Sequence, residues 1–213
     1  MPIPSWKSGL QEVAPNVFAY IHSGVGWDIC NSGFIVGDDG VLVIDAMMVA
    51  SQVRLYMEEI RKVTDKPIRY VVNTHHHVDH IGDLGSLWIG GWTYGRRTPL
   101  RVWGPAGTEN IVEHHRGIYE WDLATRTPFL KNLGGKEIEV QDYQDGVIFD
   151  EGGVTVSAFK VVHTDPQNSY GLKLEAFGRT LIFSGDTKKC DALIEQGQGA
   201  DVIIHEAFPP TEI

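Results

Sequence analysis

The sequence predicts an α+β fold: two β-sheets packed face to face, with helices outside. Two blocks of short, β-branched segments bounded by turn residues predict the sheets. Segments with apolar residues at helical spacing, set between and after those blocks, predict the outer helices. A third observation places a site. His75–His80, His163, Asp186 and His205 each fall just after a predicted strand, as expected when one edge of the sheets presents functional side chains.

Taken in order, Val17–His22, SGFIVGDDG (32–40) and Val41–Ala46 read as an antiparallel run, with Asp38-Asp39-Gly40 as a hairpin turn. Val53, Met57, Ile60 and Val63 then recur at helical spacing, and Pro67 closes that helix. IRYVVNTH (68–75) returns to strand and runs straight into a histidine-rich loop. LGSLWIGGW (84–92) reads as helical at first and broken by Gly90-Gly91, and LRVWGP (100–105) as a strand. TENIVEHHRGIYEW (108–121) reads as a helix with Thr108 as N-cap. The remainder is rich in strands: 136–143, 146–152, 154–163, 169–177 and 179–186, with turns at 150–153 and 177–179. A helix over 189–197 and a strand over 200–207 complete the chain.

At 213 residues and 42% apolar content the chain fits one domain, 1–213, with a real core. The formal net charge of −10 argues against a general affinity for anionic membranes and makes nucleic acid an unlikely partner. The two cysteines, Cys30 and Cys190, make no metal-type spacing and read as free thiols in a reducing compartment, a single long-range disulfide being the alternative. MPIPSWKSGL lacks the apolar core of a signal peptide, and the apolar run VLVIDAMMVA is short and broken by Asp45. The expected location is cytoplasmic, with a leader removed before Met1 left open.

NTHHHVDHIGD (73–83) carries four histidines and an aspartate between His75 and His80. An imidazole is a good metal ligand and costly to bury unpaired, so the cluster needs solvent or a cation. In an extended loop His75 and His77 point the same way and can grip one ion; a turn at Val78 lets Asp79 and His80 face a second. His163 would be the third imidazole for the first ion, and Asp186 could bridge both. Nitrogen and oxygen donors without thiolate suit zinc, with iron or manganese as alternatives, and three protein ligands leave a position for water.

THHHVDH, with VVHTD and FSGDT, resembles the signature of the metallo-β-lactamase superfamily: His-x-His-x-Asp-His, then a distant His and a bridging Asp. The resemblance spans nearly the whole chain, and the later part looks most like the branch containing ribonuclease Z and arylsulfatase-like hydrolases. It implies an αββα sandwich with two metal ions at one edge between the sheets. Asp45 resembles an acid that the family sets behind its metals, the alternative being a turn cap. Family members complete the second metal site with a histidine further downstream, so the resemblance implies a chain lacking the usual C-terminal elements, by truncation or as a short form. His205, nineteen residues past Asp186, matches a non-ligand histidine of the family and is not assigned to metal. Trp27, on the loop SGVGWDICNS, is expected as an apolar lid over the metals or as core; Trp88, four residues before Trp92, as pocket wall, core or subunit contact. His76 is expected to point away from the ligands, and His22, His114 and His115 to be bland.

The expected activity is hydrolysis by metal-bound hydroxide, with Asp79 orienting it and accepting its proton. The expected substrate is a small ester, lactone, lactam, or sulfate or phosphate ester. A ribonuclease Z-like phosphodiesterase is the second reading, and a mononuclear iron sulfur dioxygenase on His75, His77, His163 and Asp186 a third. A non-catalytic binding module is the remaining class. The partners expected are a small-molecule substrate and a second copy in a homo-oligomer.

Overall fold

The computed structural model describes residues 8–21, 30–163 and 168–206. Seven strands form the first sheet in sequence order: β1 (Gly9–Ala14), β2 (Val17–Ile21), β3 (Ser32–Val36), β4 (Val41–Ile44), β5 (Ile68–Val72), β6 (Leu100–Pro105) and β7 (Ile138–Tyr143). The second holds β8 (Gly146–Glu151), β9 (Val154–Lys160), β10 (Tyr170–Ala176), β11 (Arg179–Phe183) and β12 (Val202–Ile204), β12 lying outermost beside β11. The helices are α1 (Ala50–Val63), α2 (Val78–Ile81), α3 (Leu84–Thr93), α4 (Thr108–Ile118), α5 (Glu120–Arg126) and α6 (Asp191–Gln196).

The antiparallel run predicted from Val17 to Ala46 holds for β2 to β4, β1 extends it, and β8 to β11 are antiparallel as well, while β4 to β7, and β12 beside β11, run parallel, so both sheets are mixed. The reason lies in the connections: a helix between successive strands returns the chain to the same end, so the next strand enters parallel. The sheet-on-sheet layering follows from alternation along the central strands. Leu42, Ile44, Tyr70 and Val72 face Val156, Leu172, Leu174 and Phe183 of the second sheet across the middle layer. Val41, Val43 and Val71 face the opposite way, onto Val53 and Ile60 of α1 and Leu84 and Leu87 of α3. On the far side, Phe159 and Ile182 of the second sheet pack on Leu193 of α6. Four layers result, α, β, β and α.

Three expectations give way. The helix α3 continues through Gly90-Gly91 to Thr93. Two glycines cost roughly 1 kcal/mol each in a helix, and burial of Leu84, Leu87, Trp88 and Trp92 outweighs that. The helix predicted over 108–121 is two helices that break at Tyr119. Thr108 is the first helical residue rather than the N-cap, which is Gly107. The edge strand β1 carries no fully buried residue, which is why its sequence gave no strand signal.

Arg96 locks the turn after α3. Its guanidinium is 4% exposed and donates to the carbonyls of Thr98, Leu87, Trp88 and Gly135. Burial lowers its pKa to about 10, so it stays charged at neutral pH. Arg96→Met would strand these carbonyls without donors, at a cost of about 3 kcal/mol. A urea unfolding curve checks this; an unchanged midpoint would mean that water replaces the guanidinium.

Candidate metal centre

The site lies where β4, β5, β9 and β11 reach their C-terminal ends. β5 delivers Asn73 to His77, β9 leads to His163, and β11 leads to Ser184, Gly185 and Asp186. The last two segments are tied together: Lys188 N–H donates to Val162 O at 2.8 Å, and Val162 N–H to Thr187 Oγ1 at 3.1 Å. Gly185 turns the chain into Asp186 with φ +57°, and a Cβ there would meet Tyr170 O at 2.6 Å, so no other residue fits.

These segments bring His75, His77, His163 and Asp186 together, with one donor atom from each within 4.8 Å of the others. His163 Nε2 lies 3.2 Å from His77 Nδ1. Asp186 Oδ2 lies 3.9 Å from His75 Nε2 and 3.8 Å from His163 Nε2. Two nitrogens that share a tetrahedral zinc at about 2.1 Å stand about 3.4 Å apart, so the spacings fit one ion. His75 supplies the sharper test. Its side chain is 1% exposed, its Nδ1 pairs with Thr74 Oγ1 at 3.0 Å, and its Nε2 is buried with no hydrogen-bond partner. Burial, helped by neighbouring His80, lowers its pKa to about 4, so the ring is uncharged at neutral pH. Thr74 Oγ1 donates its proton to Asp45 and so accepts from His75 Nδ1–H, which leaves the lone pair on Nε2. A buried lone pair aimed at two imidazoles and a carboxylate fits a cation.

Asp79 and His80 flank this group. His80 Nε2 lies 3.5 Å from Asp79 Oδ2 and 3.6 Å from the other oxygen of Asp186. These are the donors expected for a second ion, and Asp186 faces both sets. Behind them sits Asp45, wholly buried, with φ +60°. It accepts from Thr74 N–H at 2.8 Å and from Thr74 Oγ1, and pairs with His80 Nδ1 at 2.8 Å. Burial works against the His80 imidazolium, but Asp45 and Asp186 outweigh it and hold its pKa far above the ordinary value. Cys30 Sγ lies 3.6 Å from His80 Nδ1. Cys30, Asp45 and His80 also form a compact donor group, yet burial pushes the thiol up to about 11 and the Asp45 oxygens are already engaged. That group is a brace behind His80.

Other sequence expectations fare unevenly. Both cysteines are free. Trp88 is 1% exposed in the core and donates its indole N–H to Lys136 O. Of the readings pocket wall, core and subunit contact, the core holds; a ring closed off from solvent has no face for substrate, so the pocket-wall reading behind a substrate-binding role is corrected to packing. Trp27 and His22 lie outside the described residues. His205 is exposed and belongs to neither donor group. His76 turns away from the ligands to Thr108 Oγ1 at 2.8 Å. The sequence does not single out Thr74 or Asn73, and Thr108 only as a helix cap; their hydroxyls and amide act through partners distant along the chain, which local spacing does not reveal.

Residues 25–194 match the family model described as the metallo-beta-lactamase superfamily. The chain belongs to the metallo-beta-lactamase superfamily. Among curated members of known name, a ribonuclease Z of Mycobacterium bovis is 32% identical over 139 residues, 63% of this chain and 50% of that protein. A putative ribonuclease Z of Mycobacterium tuberculosis is 32% identical over 62% of this chain and 61% of its own length. The chain thus spans about half to three fifths of these relatives. Human tRNase Z, short form, shares the fold at a TM-score of 0.57 and 16% identity, covering 85% of this chain and 73% of that one. The Zn2+-bound PqqB from Methylobacterium extorquens does so at 0.55 and 16%, covering 81% and 58%. The αββα expectation therefore stands. The expectation that nucleic acid is an unlikely partner is overturned, because the curated relatives are named for action on RNA; net charge averages over the whole surface and says little about what one edge accepts. No helix among the described residues is long and apolar enough to cross a membrane.

The lowered pKa of His75 makes the metal-free protein sensitive to acid. Between its ordinary 6.5 and about 4 the unfolded chain takes up a proton that folded His75 refuses, so stability falls as pH falls through that window. The loss attributable to His75 approaches about 3 kcal/mol. His80 has the opposite sign: its pKa is raised on folding, so its contribution is present below 6.5 and is lost as pH rises through the folded value. Urea unfolding of the metal-free chain from pH 7 to 4 should show the acid loss, and His75→Gln should flatten it; equal slopes in both proteins would contradict the assignment.

Proposed function

We propose that the chain is a metal-dependent hydrolase of phosphodiesters, with RNA as the first substrate class to test. The observation that carries the proposal is the convergence of three imidazoles and Asp186 around the unpartnered, buried His75 Nε2. His75, His77, His163 and Asp186 would hold one ion; Asp79, His80 and the second oxygen of Asp186 would offer donors to another. Zinc suits this set, with iron or manganese as alternatives. A divalent ion bound there lowers the pKa of water and stabilises negative charge on the substrate oxygen.

The chain's own residues orient and move protons. Asp79, with its carboxylate 27% exposed beside the buried His80, can hold a water by hydrogen bond and accept its proton. Asp45 keeps the His80 ring turned so that Nε2 rather than Nδ1 faces Asp79 and Asp186. The choice of phosphodiester draws on the 32% identity to proteins named ribonuclease Z. A second reading, hydrolysis of a small ester, lactone or lactam, would use the same donor set and the same metal-centred chemistry.

The test is a turnover screen of the zinc-loaded chain on bis(p-nitrophenyl) phosphate, a short RNA, p-nitrophenyl acetate and a simple lactone. Phosphodiester cleavage is expected, with Asp79→Asn lowering kcat by about 100-fold or more. Cleavage of the carboxylic esters alone would replace the first reading by the second, and equal rates for Asp79→Asn would remove the role given to Asp79.

A further inference from the structure

We propose that the turn joining β6 to α4, with its flanking residues Gly104, Pro105 and Thr108, is a positioning brace for His75 and His77 of the metal centre, with His76 and Thr108 as positioning residues. The inference rests on the metal-ligand reading above and adds to it the residues that aim the ligands. His76 Nε2 lies 2.8 Å from Thr108 Oγ1. The Thr108 hydroxyl has one proton, which it gives to Pro105 O at 2.7 Å. It must therefore accept from His76, which fixes His76 as the Nε2–H tautomer. Successive side chains of an extended segment point to opposite sides. Anchoring His76 on Thr108 thus turns His75 and His77 the other way, toward His163 and Asp186.

The same loop is also tied to the segment that enters β10: Asn168 Nδ2 donates to Ala106 O at 3.0 Å. The loop is fixed in turn to β7. The Asp142 carboxylate accepts Gly107 N–H at 2.6 Å and Glu109 N–H at 2.8 Å, which also satisfies the start of α4. This short stretch therefore bonds to the histidine loop through Thr108, to the segment entering β10 through Ala106, and to β7 through Gly107. The glycines of GPAGT are explained by close approach. A Cβ on Gly104 would stand 2.2 Å from Thr108 Oγ1. Gly107 has φ +105°, a backbone conformation that strains any residue with a Cβ. Gly104 is needed for Thr108 to sit where His76 can reach it, and Gly107 for the turn that brings it there.

The experiment is zinc affinity of the full chain by competition with a chromophoric chelator, with zinc alone as the probe, beside thermal unfolding of the metal-free protein. His76→Ala and Thr108→Val are each expected to weaken zinc binding by about ten- to a hundred-fold. The double variant should be no weaker than the worse single, because both break one hydrogen bond. His76→Gln, which keeps an N–H donor at the reach of Nε2, should recover most of the affinity. A merely structural role would give additive losses that follow the Tm, with no rescue by glutamine, and would overturn the proposal. So would wild-type affinity in both single variants. Should Thr108→Val fail to fold, the comparison of His76→Ala with His76→Gln decides alone. Tight zinc binding without turnover on any substrate would remove the hydrolase reading and leave the brace; a wild-type chain that binds no zinc would remove the brace with its ligands.

Discussion

The buried carboxylate of Asp45 is the constraint on which the site depends. It sits at the end of β4 with no exposure to solvent, in a left-handed conformation that costs a non-glycine residue on the order of 1 kcal/mol. A carboxylate in such a place must be met by donors. Thr74 supplies its backbone N–H and its hydroxyl, and His80 supplies an imidazole nitrogen at 2.8 Å. Satisfying one buried carboxylate thus fastens both ends of the histidine loop to the first sheet. The same need explains why Thr74 and His80 are themselves closed off from water, while Asp79 between them stays partly open.

From that fixed loop the rest of the centre follows. The second sheet brings His163 and Asp186 to the same edge because β9 and β11 both pair antiparallel with β10 and so end together. Tyr170 N–H donates to Thr74 O at 3.1 Å and joins the two sheets at the site. Two of the imidazoles are aimed by a hydrogen-bond partner, His75 by Thr74 and His80 by Asp45, and the loop as a whole is held by the contact of His76 with Thr108. A centre held in this way is preorganised, so little ordering is left for the ion to impose.

Much of this was legible in the sequence, for reasons that differ by residue. Four histidines and an aspartate within six positions leave few readings other than a cation, and His163 and Asp186 declare themselves by following strands. The sandwich was legible because the central strands alternate between two cores, with Leu42 and Ile44 on one side and Val41 and Val43 on the other. What stayed hidden involves partners far apart in sequence. Thr108 as the anchor of His76, 32 residues away, has no local signal, and as a threonine before a helical run it reads more naturally as a cap. Trp88 on a glycine-rich helix looks equally suited to a pocket wall or a core, and only the packing of α3 on the first sheet decides. Overall charge gave no ground for excluding nucleic acid, since it carries no information about where along the surface the acidic residues lie.

The most direct test of the central claim is the metal content of the chain, by elemental analysis of protein purified without added metal and passed through gel filtration. The account predicts at least one equivalent of zinc, iron or manganese per chain, with loss of that equivalent in His163→Ala. A wild-type chain that carries no transition metal, and takes up none on incubation with zinc, would contradict it, because the buried lone pair of His75 would then face no cation at all.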